Sequence, residues 1–399
     1  MDISGKKLNL EILVLQKPPL DVEEIIFSHE FCLDYIRRFA SPHPVRLVNA
    51  DHLRRVQDVL EFSTADILVI IDENELILPP LAYQVLPQPI YDKSWAAMVP
   101  VYNAAENPSQ RVDLSRYIYH NVRNFIEVTE KLWQNAEQTI RPADSSTEWP
   151  CIFVRREMLR QEDSDMPLKD VWSLWASLGK IGQVDALFAH RFSGYYFSPR
   201  TDLINLIPDS AKTVLDVGCA RGSLGNALKK MRPCHITGVE LNPVMADVAS
   251  HVYDKVYNLP VENISFKSQF DAIICGDVIE HLRDPECVLS HLAQSLTPKG
   301  VLIGTVPNTG HWSIVMDLAQ GRFEMIPVGL LCMSHIRFFT ETELRVLLAK
   351  SGLEIDVLDR DSPPPTPNGE RFISTLISAG MGDEVSLRTS ELRFRARKN

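Results

Sequence analysis

The chain has 399 residues, 45% of them hydrophobic and 23% charged, with a formal net charge of -11 and a pI near 5.5. That length corresponds to roughly two or three domains with real cores, and the acidic balance excludes a general nucleic-acid or anionic-membrane binder, which would carry a basic excess. Seven cysteines without a C-x-x-C pair signal neither a disulfide framework nor a zinc site, so no metal is expected and a reducing cytoplasm is the simplest location.

The opening residues lack the basic region, apolar core and cleavage site of a signal peptide. No uncharged apolar run approaches the ~18 residues of a spanning helix, so no stable membrane insertion is expected. Residues 10–15 (LEILVL) and 45–49 (VRLVN) read as strands flanking a helical stretch over 25–39. Residues 65–71 (ADILVII) form a near-continuous apolar run, the pattern of a strand buried on both faces. It runs straight into Asp72, Glu73, Asn74 and Glu75, which places carboxylates at a strand end.

The stretch ADILVIIDENELILPP resembles the strand and acidic turn of nucleotide-sugar-dependent glycosyltransferases of the GT-A fold. In that family an Asp-x-Asp element holds a divalent metal and the sugar diphosphate. The likeness continues through residues 150–157 (PCIFVRRE), 165–180 and 186–190. Here Asp72-Glu73-Asn74 replaces Asp-x-Asp, and residues 16–19 (QKPP) carry no clear nucleotide signature. A structural or acceptor-binding domain is therefore the first expectation, with live sugar transfer at Asp72 and Asp165 the alternative. His190 is read as a surface or capping residue. Broken periodicity over residues 191–200 marks a linker, giving domains 1–194 and 195–399.

Residues 213–222 (TVLDVGCARG) carry strand character into a glycine-bearing turn, followed by a helical run over 223–231. Strand and helix patterns then alternate: strand 236–240, helix 243–250, strand 272–275, helix 285–296, strand 301–306 and helix 341–351. This is a βαβ sheet domain. Asp284 and Pro285 open one helix as N-cap and first residue, and Thr340 with Glu343 reads as a capping box. Residues 362–367 (SPPPTP) must be extended, and 392–397 (LRFRAR) alternate as an edge strand would. Glu240 lies 22 positions beyond Gly218, where a carboxylate can accept both hydroxyls of a ribose. The turn has neither the Lys and Ser/Thr of a P-loop nor a GxGxxG pattern, so a ribose-bearing ligand without a pyrophosphate fits best.

Residues 213–339 resemble the class I S-adenosylmethionine-dependent methyltransferases. LDVGCARG, GVELNP, FDAIICGDVIEHLRDP and LTPKGVLIGTVPN match that family's ordered motifs, and HIRFFTETEL is familiar in its small-molecule, quinone and sugar branch. The resemblance implies a two-domain α/β protein whose C-terminal domain is a Rossmann-like methyltransferase sheet beside a GT-A-like N-terminal sheet. It implies S-adenosylmethionine as cofactor, with Gly218, Cys219 and Gly222 at its amino-acid end, Asp216 orienting the turn, Glu240 on the ribose and Leu241 on the adenine. Asn258 is the fallback for the adenine amino group, and Asp277 lines the cofactor pocket. Methyl transfer to a hydroxyl needs a base, and His281 is the candidate because imidazole titrates near neutrality. His311, His335 and Arg337 are candidate acceptor-binding residues. The expected activity is methylation of a small molecule or glycan precursor, in a surface-polysaccharide setting. A bifunctional glycosyltransferase/methyltransferase and a non-catalytic binding or assembly protein are the alternatives.

Overall fold

The computed structural model describes residues 8–16, 23–73, 75–85, 90, 95–103, 105, 107–112, 121–135, 140–144, 146–192, 199–266, 269–327 and 329–399. Residues 17–19, Asn74 and most of the expected linker lie outside them. The chain divides into two compact units, residues 1–194 and 195–399.

The first unit is a mixed sheet. Its strands are β1 (Leu10–Gln16), β2 (Val45–Asn49), β3 (Ile67–Ile71), β4 (Leu76–Ile77), β5 (Ala97–Tyr102), β6 (Ile140–Pro142), β7 (Cys151–Arg155) and β8 (Ile181–Arg191), in the order β2-β1-β3-β7-β5-β8-β4, with β6 on β8. Every residue of β3 is buried, as its unbroken apolar run requires. Apolar clusters cover both faces, one including Ile12, Val69 and Phe153, the other Leu68, Val99 and Trp172. His190 departs from expectation. It is 6% exposed on β8, its ring 4.4 Å from that of Phe192, and burial pushes its pKa down to about 3. The rings of Phe125, Phe188 and Phe192 packed around it, rather than solvent at the strand end, set this environment.

The second unit is a seven-stranded sheet of β9 (Thr213–Val217), β10 (His235–Val239), β11 (Lys255–Tyr257), β12 (Phe270–Gly276), β13 (Leu296–Pro307), β14 (Leu353–Asp361) and β15 (Glu391–Lys398). The order is β11-β10-β9-β12-β13-β15-β14, all running in one direction except β15, which is antiparallel to both its neighbours. Chain direction across the sheet reverses between β9 and β12, so their carboxyl ends open a crevice, the position where such sheets bind ligands. One face packs Leu215, Ile273 and Leu302 under the helices Pro285–Gln294 and Glu341–Lys350. The other packs Val214, Ile274 and Ile303 against Leu203 and Leu228.

The final strand is not an edge. β15 lies between β13 and β14, with Leu392, Phe394 and Ala396 buried. The alternate arginines meet acids of β14: Arg393 reaches Asp359 at 2.7 Å, and Arg395 and Arg397 reach Asp356 at 3.0 and 2.7 Å. The period-two pattern was legible, but its partner strand β14 was not foreseen. The expected helix over 285–296 stops at Gln294, and Leu296 already begins β13. Asp284 caps that helix as expected, accepting from the Cys287 N–H. Thr340 instead gives its hydroxyl to the Glu343 carboxylate, so only half of the expected capping box forms. Residues 362–366 lie outside any helix or strand, and Pro367, at the end of the expected extended segment, instead opens the helix Pro367–Ser378. Among the described residues no helix is long and apolar enough to cross a membrane.

Candidate cofactor and methyl-transfer site

The turn after β9 is built on left-handed backbone: Gly218 at φ 72°, Ala220 at 45° and Gly222 at 81°. Gly218 also has no room for a side chain, because a Cβ there would lie 2.7 Å from Val278 Cγ2. Ala220 has a Cβ in a conformation that costs roughly 1–2 kcal/mol, and its N–H donates to Glu240 Oε2 at 2.8 Å. That charge-assisted bond offsets the strain. The other carboxylate oxygen of Glu240 accepts from the Asn242 N–H at 2.7 Å. Two backbone donors therefore fix the carboxylate at the end of β10, and its remaining lone pairs can accept ribose hydroxyls.

The N–H groups of Gly218 and Cys219 both donate to the Val239 carbonyl, at 2.8 and 3.0 Å. The first two N–H groups of the turn are thus committed to β10, and the Gly222 N–H closes the turn on the Cys219 carbonyl at 2.9 Å. Asp216 does not hold this turn directly. Buried, it accepts from Tyr253 Oη at 2.5 Å, and that oxygen accepts from the Gly225 N–H at 3.1 Å. Asp216 therefore positions the helix Ser223–Met231 through Tyr253. Burial, with a smaller contribution from Glu240, pushes its pKa up to about 7.

Leu241 is 60% exposed beside Glu240, an apolar surface of the kind an adenine stacks on. The Asn258 amide donates to the Glu240 and Leu241 carbonyls at 2.8 and 2.9 Å, so it braces this loop and keeps only its own oxygen as an acceptor. Asp277, at φ 53°, is locked after β12. Its N–H donates to Thr305 Oγ1 at 2.9 Å, that hydroxyl donates back to Oδ1, and Oδ2 is ion-paired with Arg200. Glu240, held by backbone N–H groups rather than by a cation, keeps negative charge at this sheet edge, an electrostatic match for a sulfonium cation.

The candidates for chemistry separate on folding. His281 ends the short helical turn Ile279–His281 and its Nδ1 lies 3.1 Å from the Ser334 carbonyl. His335 joins it, ring centroids 4.9 Å apart, with Nε2 3.8 Å from Glu280 Oε1. His335 thus belongs to this cluster. Burial, then the neighbouring His281, lowers its pKa to about 4. Burial first and Asp277 second push Glu280 well above the carboxylate range. His311 is 1% exposed and caps a helix, its Nδ1 accepting from the Ser313 N–H at the start of Trp312–Ala319. Arg337 is likewise engaged, its guanidinium donating to the Arg283 carbonyl. Glu280 was missed. The available signal was the adjacent Glu-His pair, whose meaning depends on His335 arriving from a distant loop.

Strand order and the switch point between β9 and β12 give the C-terminal unit a Rossmann-like sheet, whose carboxyl edge is where such sheets bind a ligand. Comparison with known proteins assigns this sheet to a class: residues 188–358 match the family described as methyltransferase domain. The chain is 28% identical over 152 residues to a ubiquinone biosynthesis O-methyltransferase of Aeromonas salmonicida, covering 36% of this chain and 63% of that one. It is 29% identical over 153 residues to the enzyme of that name from Coxiella burnetii, covering 36% and 64%. The chain thus spans under two thirds of the length of these relatives. Among solved structures, magnesium protoporphyrin IX methyltransferase from Synechocystis with bound S-adenosylhomocysteine aligns at 16% identity and TM-score 0.36, covering 51% of this chain and 84% of that one.

Proposed function

We propose that the protein is an S-adenosylmethionine-dependent methyltransferase that acts on a hydroxyl of a small molecule or glycan precursor. The observation that carries this reading is the Glu240 carboxylate, fixed by the Ala220 and Asn242 N–H groups at the carboxyl end of β10, the same edge of the sheet from which the loop after β12 delivers His281. The cofactor supplies an electrophilic methyl on a sulfonium. Glu240 would hold the ribose, the Gly218 carbonyl the ammonium, and Leu241 the adenine face. Alignment of donor and acceptor is then the chain's main contribution. His281, with Nδ1 against the Ser334 carbonyl, would take the acceptor's proton on Nε2.

For the N-terminal unit a structural or acceptor-binding role is favoured over sugar transfer. Glu73 in the acidic turn is ion-paired with Arg191 at 2.9 Å, and Arg191 also takes Glu148 at 2.7 Å. Its negative charge is already matched by a guanidinium. The GT-A-like resemblance, the glycan setting and a cytoplasmic location remain parts of this proposal.

Labelled S-adenosylmethionine incubated with catechols, phenols, nucleotide sugars and lipid-linked glycans, followed by mass detection, tests the reading. An O-methylated product is expected. No product from any acceptor class, with no measurable cofactor binding, overturns it. His281→Ala should keep cofactor affinity and lose turnover; full turnover would remove His281 from the mechanism.

A further inference from the structure

We propose that Glu280, His281 and His335 form a binding site for one divalent transition-metal ion at the methyl-transfer edge of the C-terminal sheet. One ligand atom from each of the three lies within 4.8 Å of those of the other two. Two imidazoles and a carboxylate are a donor set suited to Zn²⁺, Mn²⁺ or Fe²⁺, and three protein ligands leave coordination positions open for a substrate oxygen.

The second observation is the state of Glu280. Its side chain is 1% exposed, and among the described residues neither carboxylate oxygen has a side-chain hydrogen-bond partner. A buried carboxylate without donors costs several kcal/mol unless a cation or a proton compensates it. Glu280 is held there by its own backbone, whose carbonyl accepts from the Ile336 and Arg337 N–H groups, both at 3.0 Å. Those two bonds tie the β12 loop to the segment that delivers His335.

Both imidazoles are oriented as ligands need to be. His281 Nδ1 lies against the Ser334 carbonyl, and the His335 ring hydrogen-bonds the Leu330 backbone. For His335 a carbonyl on one ring nitrogen fixes the tautomer that turns the lone pair of Nε2 toward Glu280, 3.8 Å away. The rings stand at 78° to each other, so the two lone pairs can converge without stacking.

The ion's role toward the acceptor rests on the proposed O-methyl transfer. A hydroxyl bound to it loses its proton to solvent, the oxygen forms the bond to the methyl carbon as the carbon–sulfur bond breaks, and S-adenosylhomocysteine leaves. His281 then acts as a ligand, and the ion carries out the ionisation assigned above to its imidazole.

The test uses the full chain, dialysed against a chelator and titrated separately with MnCl₂, ZnCl₂ and MgCl₂ by calorimetry, with Mn²⁺ also followed by electron paramagnetic resonance. One Mn²⁺ or Zn²⁺ per chain is expected, with nitrogen hyperfine coupling from imidazole and weaker Mg²⁺ binding. Glu280→Gln and His335→Ala should each weaken the ion by about tenfold or more while keeping S-adenosylmethionine affinity. The cofactor titration shows that each variant is folded. No ion bound by the wild type, or unchanged affinity in both variants, overturns the site. Metal binding without cofactor binding would instead overturn the methyltransferase reading and leave the site standing.

Discussion

Both units place carboxylates at the end of a parallel strand, but they satisfy them differently. In the C-terminal unit Glu240 is held by two backbone N–H groups. In the N-terminal unit Glu73 and Glu148 share the guanidinium of Arg191. Backbone donors fix a carboxylate without cancelling its charge, so it can still attract and hydrogen-bond a ligand. A guanidinium neutralises it and builds a structural knot. The same residue type at the same kind of position thus becomes a binding group in one region and a brace in the other.

The largest expected effect lies in the frame that supports the turn. A Cβ on Gly225 would lie 2.0 Å from Tyr253 Cε1, and that ring is anchored to Asp216. Gly225→Ala should therefore cost ~3 kcal/mol of stability and weaken cofactor binding. An unchanged urea midpoint would show that Tyr253 is not a fixed support. Glu240→Ala should weaken S-adenosylmethionine by about tenfold or more, as loss of a charge-assisted hydrogen bond implies. The matching change in the other unit, Glu73→Gln, should leave cofactor affinity untouched and cost ~1 kcal/mol of stability. Equal effects of the two on calorimetric affinity would dissolve the contrast.

The units also respond to pH with opposite sign. Asp216 has a folded pKa raised from 3.8 to about 7, so the folded state binds the extra proton. Its contribution is fully present below about pH 4 and is lost as pH rises through about 7. His190 has a folded pKa lowered from 6.5 to about 3, so the unfolded state binds the extra proton. Its contribution is present above about pH 6.5 and is lost as pH falls toward about 3. Urea unfolding across this range should show Asp216→Asn removing the first slope and His190→Phe the second. If neither slope changes, burial does not govern these groups. The smallest effect belongs to Asp165, exposed and 3.8 Å from Arg55. Asp165→Ala should change stability by under about 0.5 kcal/mol and leave methyl transfer intact. Loss of nucleotide-sugar binding in that variant would restore sugar transfer as an activity of the N-terminal unit.

The sequence by itself determined the features that depend on near neighbours in the chain. The helices Ser223–Met231 and Pro243–Ser250, the buried run of β3, the Asp284 cap and the spacing from Gly218 to Glu240 are all local. Periodicity, caps and turn residues report such features directly. Tertiary structure alone decided what required distant segments to meet. It turned 392–397 into an inner strand by pairing it with β14, and it buried His190 and His311. It also brought His335 to Glu280 and His281. A polar residue's chemistry is set by the partners that reach it and the water excluded from it, and neither is encoded at the residue's own position.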